Sequence, residues 1–236
     1  MILLTLDTNT EILSCSLTEN ETLLSEINIY NLKNHSINSI SSIDSVLKNS
    51  NKTLNDIDGF VLSKGPGSFT GLRISFSILK AFSFSLNKPM ISLSSLDTLC
   101  YRENFNGVVV SIIDALRDEV YINSFCDKNN IIHNTYEGDI VHIKNISDYI
   151  VKKHGENKEI LFTGDGVIKH YNFLKENFKN CFINKKQISS YDYALLGIEK
   201  FKLNMFDDSM TNSPSYIRVS QAQEMLLKNR KINNDK

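Results

Sequence analysis

The sequence predicts an α/β protein made of two similar halves that face each other across a cleft. Three observations carry this reading. Short apolar blocks bounded by turn residues alternate with stretches whose apolar residues recur at helical spacing. The order strand-strand-strand-helix-strand-helix appears once clearly and again, blurred, after Asn106-Gly107. The 236 residues also suffice for two lobes of roughly 100–120 residues, enough to bury a sizeable core.

In the first half, Ile2 to Asp7 is a compact apolar run that ends at Thr8-Asn9-Thr10, a turn-like triplet. Ile12 to Leu17 and Leu23 to Tyr30 follow closely, which predicts a three-stranded meander. From His35 to Asn49 the period changes: Ile37, Ile40, Ile43, Val46 and Leu47 recur as on a helix. Phe60-Val61-Leu62 is a short buried strand, and Lys64 to Gly71 is a glycine-rich turn opening a helix that runs to about Leu86. Pro89 stops that helix, Met90 to Leu93 is the next strand, and Ser94 caps a short helix through Tyr101.

The second half repeats the scheme less distinctly. Val108 to Ile113, Val120 to Cys126 and Ile131 to Glu137 read as strands, and Asn145 to Lys153 as a weaker helix. Glu159 to Phe162 is a further strand, followed by Thr163-Gly164-Asp165-Gly166, a helix over about Ile168 to Asn177 and a last amphipathic helix from Tyr191 to Asn204. The expected division is an N-terminal lobe over 1–103, a C-terminal lobe over 104–219 and a polar tail over 220–236.

Composition narrows the function classes. With 26 basic and 27 acidic residues the formal charge is −1, which argues against a chain that grips nucleic acid unaided. No apolar run approaches a membrane span, and Asp7 interrupts the N-terminus too early for a secretory leader. Cys15, Cys100, Cys126 and Cys181 show no CxxC pairing, so reduced thiols in a cytoplasmic protein are expected rather than a disulfide frame or zinc site.

The glycine-rich turn has the setting of a phosphate cradle but not its spacing. Thr70 stands where a Walker or dinucleotide pattern needs glycine, and Pro66 lacks an amide. A structural role for Gly65, Gly67 and Gly71, with Ser68 or Thr70 as helix cap, fits better, with anion binding as the alternative. The helix beyond is apolar nearly all round, which requires cover on more than one side: its sheet, then the preceding helix or another protein. No HExxH, histidine pair at i,i+4 or GxSxG elbow is present. Asp7 and Asp114 end the first strand of each half. They are either turn-forming aspartates or carboxylates for a phosphate-bound metal.

Gly65-Pro66-Gly67-Ser68-Phe69-Thr70-Gly71-Leu72-Arg73-Ile74 closely resembles the GPGSFTGLRIG signature of the bacterial TsaB (YeaZ) family. Leu6 to Glu11, His35-Ser36, Ser92 to Leu96, Asp114 to Tyr121, Thr163 to Gly166 and Pro214-Ser215-Tyr216-Ile217-Arg218 are similar, in order, to the family's other elements. The departures are Ser75, where the signature has glycine, and Leu116, where the family usually has arginine.

The resemblance implies a two-lobed actin/sugar-kinase/Hsp70-like fold with duplicated βββαβα halves and a degenerate nucleotide cleft. That cleft, around Asp7, Asp114, Gly164 and Gly166, would bind ATP or ADP weakly at most, and no cofactor or metal is required. It also implies a scaffold role, without catalysis of its own, in making threonylcarbamoyladenosine in tRNA. The partners would be the paralogous transferase TsaD and the ATPase TsaE, with tRNA reached only through the complex and a homodimer when the chain is alone. An active ATP-dependent small-molecule phosphotransferase of the same fold, using Asp7 and Asp114, is the alternative. The expected partner surface is the outer ridge of the two N-lobe helices, drawn from Ile37, Ser39, Ile40, Ile43, Leu72, Ser75, Ile78, Leu79 and Phe82, with the outward face still open.

Overall fold

A computed structural model describes residues 1–30, 34–185, 187–215 and 217. The expected polar tail 220–236, its basic run Lys228 to Lys231, and Tyr216 and Arg218 of the last resembling element lie outside the described residues.

Strands β1 (Ile2–Asp7), β2 (Ile12–Glu19) and β3 (Thr22–Tyr30) form the expected meander. Helix α1 (His35–Asn49), β4 (Gly59–Gly65), α2 (Phe69–Leu86), β5 (Met90–Ser94) and α3 (Ser95–Tyr101) complete the first half. The sheet order is β3-β2-β1-β4-β5, antiparallel through the meander and parallel at β1/β4 and β4/β5. Local chemistry sets the limits. The Ser68 hydroxyl caps α2 by accepting from the Gly71 amide at 3.2 Å, and Asn87 closes it in the left-handed region. Ser94 caps α3 through the Asp97 amide.

The second half holds β6 (Val108–Asp114), β7 (Glu119–Phe125), α4 (Lys128–Ile132), β8 (Asp139–His142), α5 (Ile146–His154), β9 (Ile160–Thr163), α6 (Gly166–Lys169), α7 (Tyr171–Asn177), β10 (Cys181–Asn184) and α8 (Ser190–Lys202). Its sheet, β10-β9-β6-β7-β8, repeats the first order element for element. This is the expected duplicated α/β architecture of two similar halves. Three details differ from expectation. Residues Ile131 to Glu137 are not a strand, because Asp127 caps α4 by accepting from the Asn129 amide at 2.9 Å, and the third strand starts only at Asp139. The single helix expected over Ile168 to Asn177 breaks at His170 into α6 and α7. Finally, β10 was not foreseen; its Cys-Phe-Ile-Asn core is too short for a periodic signal.

Every residue of β1 is buried, as in a sheet covered on both faces. Leu4, Leu6, Phe60 and Leu62 face α1 and α2, while Leu3 and Val61 face the opposite way, into a core shared with Leu93, Val109, Leu161, Tyr193 and Leu196. That shared core comes from an exchange of helices. α8, from the end of the second half, lies on β1, β2, β4 and β5, while α3, from the end of the first, lies on β6 and β7. The first sheet ends at Ser94 and the second begins at Val108, but each sheet is packed by a helix from the other half of the chain. Among the described residues no helix is long and apolar enough to cross a membrane.

Candidate functional site

A cleft of about 850 Å³ opens between the two sheets. The first half contributes Asn9, Ser68 and Ser95 to its wall; the second contributes Asp114, Leu116 and Lys169.

The glycine turn reaches the cleft but spends its backbone on the protein itself. The Ser68 amide donates to the Asn9 carbonyl at 2.7 Å, and the Thr8 hydroxyl donates to the Gly71 carbonyl at 2.6 Å. A Cβ on Gly71 would stand 1.8 Å from the Thr8 carbonyl oxygen, and one on Gly67 would stand 2.9 Å from that of Asn9. These two glycines let α2 and the β1–β2 turn touch backbone to backbone. The Gly65-Pro66 peptide is cis, the guanidinium of Arg73 lies over the Phe69 ring, and Thr70 is exposed in the first turn of α2.

Beneath the turn is a buried polar hub that the linear sequence did not disclose. The Asn9 side-chain amide donates to the hydroxyls of Ser63 and Ser95, each at 2.7 Å, and reaches that of Tyr193 at 3.3 Å. The Tyr193 hydroxyl donates to Ser95 at 3.0 Å, and burial pushes the phenol well above its ordinary range. Asn9 and Ser95 lay within resembling elements, far apart in the chain; Ser63 of β4 and Tyr193 of α8 lay in none.

Asp7 is 1 % exposed, below the wall rather than on it. One carboxylate oxygen accepts from the Asn9 amide at 3.2 Å, and the other has no partner among the described residues. Burial raises its pKa to about 7, against the lowering effect of backbone hydrogen bonds from Asn9 and Thr8. Because the folded state holds this proton more tightly than the unfolded chain, stability falls as pH rises from about 4 through 7. Asp97, raised to about 6 chiefly by burial, slopes the same way. Asp7→Asn should therefore remove about 2–3 kcal/mol of the stability difference between pH 5 and pH 8. Urea titrations of both proteins at the two pH values check this, and parallel pH dependences would contradict it.

Asp114 does stand on the cleft wall, already neutralised: the Lys169 ammonium donates to its two oxygens at 2.8 and 3.0 Å, and the Leu116 amide donates at 3.0 Å. Gly164, at φ +107°, and Gly166 serve close packing, since Cβ atoms there would come within 2.3 and 3.0 Å of the Ile112 carbonyl oxygen. Leu116 is exposed at the cleft mouth in a left-handed conformation. These residues do not fit a magnesium-bound triphosphate. Asp7 is sealed and half protonated near neutrality, Asp114 is paired with lysine, Asp165 accepts from the Asp114 amide, and the Ser68 and Gly71 amides of the turn are bonded internally.

The expected partner ridge is narrower than its sequence outline. Ile37 and Ile40 are 72 % and 52 % exposed on α1, and Ile78 and Phe82 are half-buried on α2. Ser39, Ile43, Leu72, Ser75 and Leu79 are buried and cannot be outer-face residues. Ile43 and Leu79 belong to the core beneath the helices, while Ser39 and Ser75 return their hydroxyls to the carbonyls of His35 and Leu72. An arginine at position 75 would thus disturb the lobe itself rather than a surface.

Comparison with known proteins gives consistent matches. The family model described as "TsaD: tRNA N6-adenosine threonylcarbamoyltransferase" matches residues 23–230. The tRNA threonylcarbamoyladenosine biosynthesis protein TsaB of Bacillus subtilis is 27% identical over 98% of this chain and 100% of its own. The TsaB of Buchnera aphidicola subsp. Schizaphis graminum is 31% identical over 69% of this chain and 79% of its own. The solved structure of YeaZ from Pseudomonas aeruginosa superimposes with a TM-score of 0.68 at 19% identity, covering 91% of this chain and 100% of that one.

Proposed function

We propose that this chain, which belongs to the TsaD family and within it to the TsaB (YeaZ) proteins of tRNA threonylcarbamoyladenosine biosynthesis, serves that pathway as a scaffold without chemistry of its own. Its α1–α2 face holds the TsaD transferase. TsaE joins the same cytoplasmic complex, and tRNA is engaged only through it. ATP or ADP binding in the cleft is weak and not required.

The observation that carries this reading is the contrast between cleft and helices. Asp7 is sealed and Asp114 is paired with lysine, whereas α1 holds Ile37 and Ile40 out to water beside α2. Isolated exposed apolar residues are ordinary, but two on one face of a helix that packs beside the nearly all-apolar α2 make a seat for a partner helix. When TsaD is absent, the same face pairs with a second copy.

The test uses the full chain and TsaD from the same organism. Ile37→Glu and Ile40→Glu change only exposed positions, so both should fold with unchanged melting. Each should weaken TsaD binding by about 10–100-fold in titration calorimetry, as expected for central apolar contacts. Undiminished affinity in both variants would remove the face from the interface. Substantial magnesium-dependent ATP turnover by the purified chain, abolished by Asp7→Ala, would replace the scaffold reading with the phosphotransferase one.

A further inference from the structure

Three of the four cysteines are buried, and burial raises the pKa of each; Cys126 alone is exposed. It follows β7 directly and lies 3.2 Å from His154 Nδ1 at the end of α5. On its far side the same imidazole meets the hydroxyl of buried Ser124, 2.8 Å from Nε2. This arrangement orders the ring. With the Nε2 proton directed at Ser124, Nδ1 is left as an acceptor facing the thiol. A nucleophile within hydrogen-bond reach of a base, itself oriented by a third group, is the geometry of an activated thiol. Burial and the ammonium groups of Lys153 and Lys158 lower the His154 pKa, so the ring is neutral and able to accept at neutral pH. Beside the sulfur lies a groove of about 180 Å³ with Phe105 and Phe125 in its lining and Lys128 among its polar groups. The cluster belongs to the second lobe, apart from the cleft and from the α1–α2 face.

We propose that Cys126, with His154 as its base and Ser124 as the positioning residue, is a thiol–disulfide exchange site for low-molecular-weight disulfides. His154 Nδ1 takes the thiol proton and the sulfur attacks one sulfur of the incoming disulfide. The disulfide's S–S bond breaks as the Cys126 mixed disulfide forms. The departing thiolate carries off the electron pair and takes up the proton from His154. Cys126 is oxidised and the released thiol is the reduced product, so no further oxidant is needed.

Intact-mass measurement of the folded chain with oxidised glutathione tests this. A single adduct should form and be lost in Cys126→Ser. His154→Ala should slow its formation about tenfold, and free imidazole in the buffer should restore part of the rate. Ser124→Ala should slow it less, and Ser124→Thr should keep it. An unfolded variant would reveal itself by modification of every thiol, and in that event the two Ser124 variants decide. Equal rates for the parent, His154→Ala and Ser124→Ala chains, or an adduct on a buried cysteine of the folded protein, would overturn the proposal.

Discussion

Gly71→Ala should cost more than about 4 kcal/mol, a loss that places it among the rare severe substitutions. Helix propensity predicts the opposite sign, since alanine in a helix is favoured over glycine by about 0.5–1 kcal/mol. The contact decides. A methyl at position 71 would lie 1.8 Å from the Thr8 carbonyl oxygen and 2.8 Å from its carbon, and both atoms belong to backbone. No rotamer relieves this, so the start of α2 must leave the β1–β2 turn. Movement breaks the bonds from Thr8 to Gly71 and from Ser68 to Asn9, and it unseats Asn9 from the polar hub. Two controls separate the causes. Thr8→Ala deletes the hydroxyl bond and one buried methyl without introducing a clash, and should cost about 1–2 kcal/mol. Ser77→Ala, on the exposed side of α2, should be neutral or gain a few tenths of a kcal/mol, about what helix propensity allows. Denaturant midpoints for the three variants check the order. A Gly71→Ala loss no larger than that of Thr8→Ala would show that the two backbones are not in contact.

How far the fold could be read in advance follows from where its information lies along the chain. The limits of α1 were legible because its apolar spacing persists for four turns, and those of α2 and α3 because serine caps precede them. In the second half the elements between Asp127 and His142 are five residues or fewer, below the length at which a period can be recognised. The helix faces failed for another reason. The all-round apolarity of α2 demanded a second cover. Part of that cover is the chain beyond α8, where the carbonyls of Met210 and Asn212 accept from Lys80 on α2. Local periodicity holds no trace of such a return. Strand-end logic placed Asp114 on the cleft wall, yet it could not tell that Asp7 is sealed. Neither could it assemble the hub, whose Asn9 and Tyr193 stand 184 residues apart.

Arg102→Met should be the other severe loss, because the same long-range construction makes Arg102 a charged link between the halves. It follows α3, and its guanidinium donates to Glu103 at 3.1 Å, to Asp192 of α8 at 3.3 Å, to the Gln187 carbonyl at 2.8 Å and to Thr163 of β9 at 3.0 Å. Glu103 in turn accepts from Thr163 and Asn184. Because α3 and α8 are the exchanged helices, this network joins both packed bodies. The charged side chains are 10 % exposed or less. Arg102→Met keeps most of the volume but leaves two carboxylates buried without their cation, and should cost about 3–5 kcal/mol at neutral pH. The deficit should shrink toward pH 5, because the stranded carboxyls hold protons more tightly in the folded state than in the unfolded one. Combining Arg102→Met with Glu103→Gln and Asp192→Asn should recover much of the loss, since a neutral network needs no counter-charge. Melting curves at pH 5 and pH 8 for the single and triple variants separate charge from packing. If the single variant loses the same stability at both pH values and the triple recovers none, Arg102 acts through its aliphatic stem, and the exchanged helices are held by apolar contact alone.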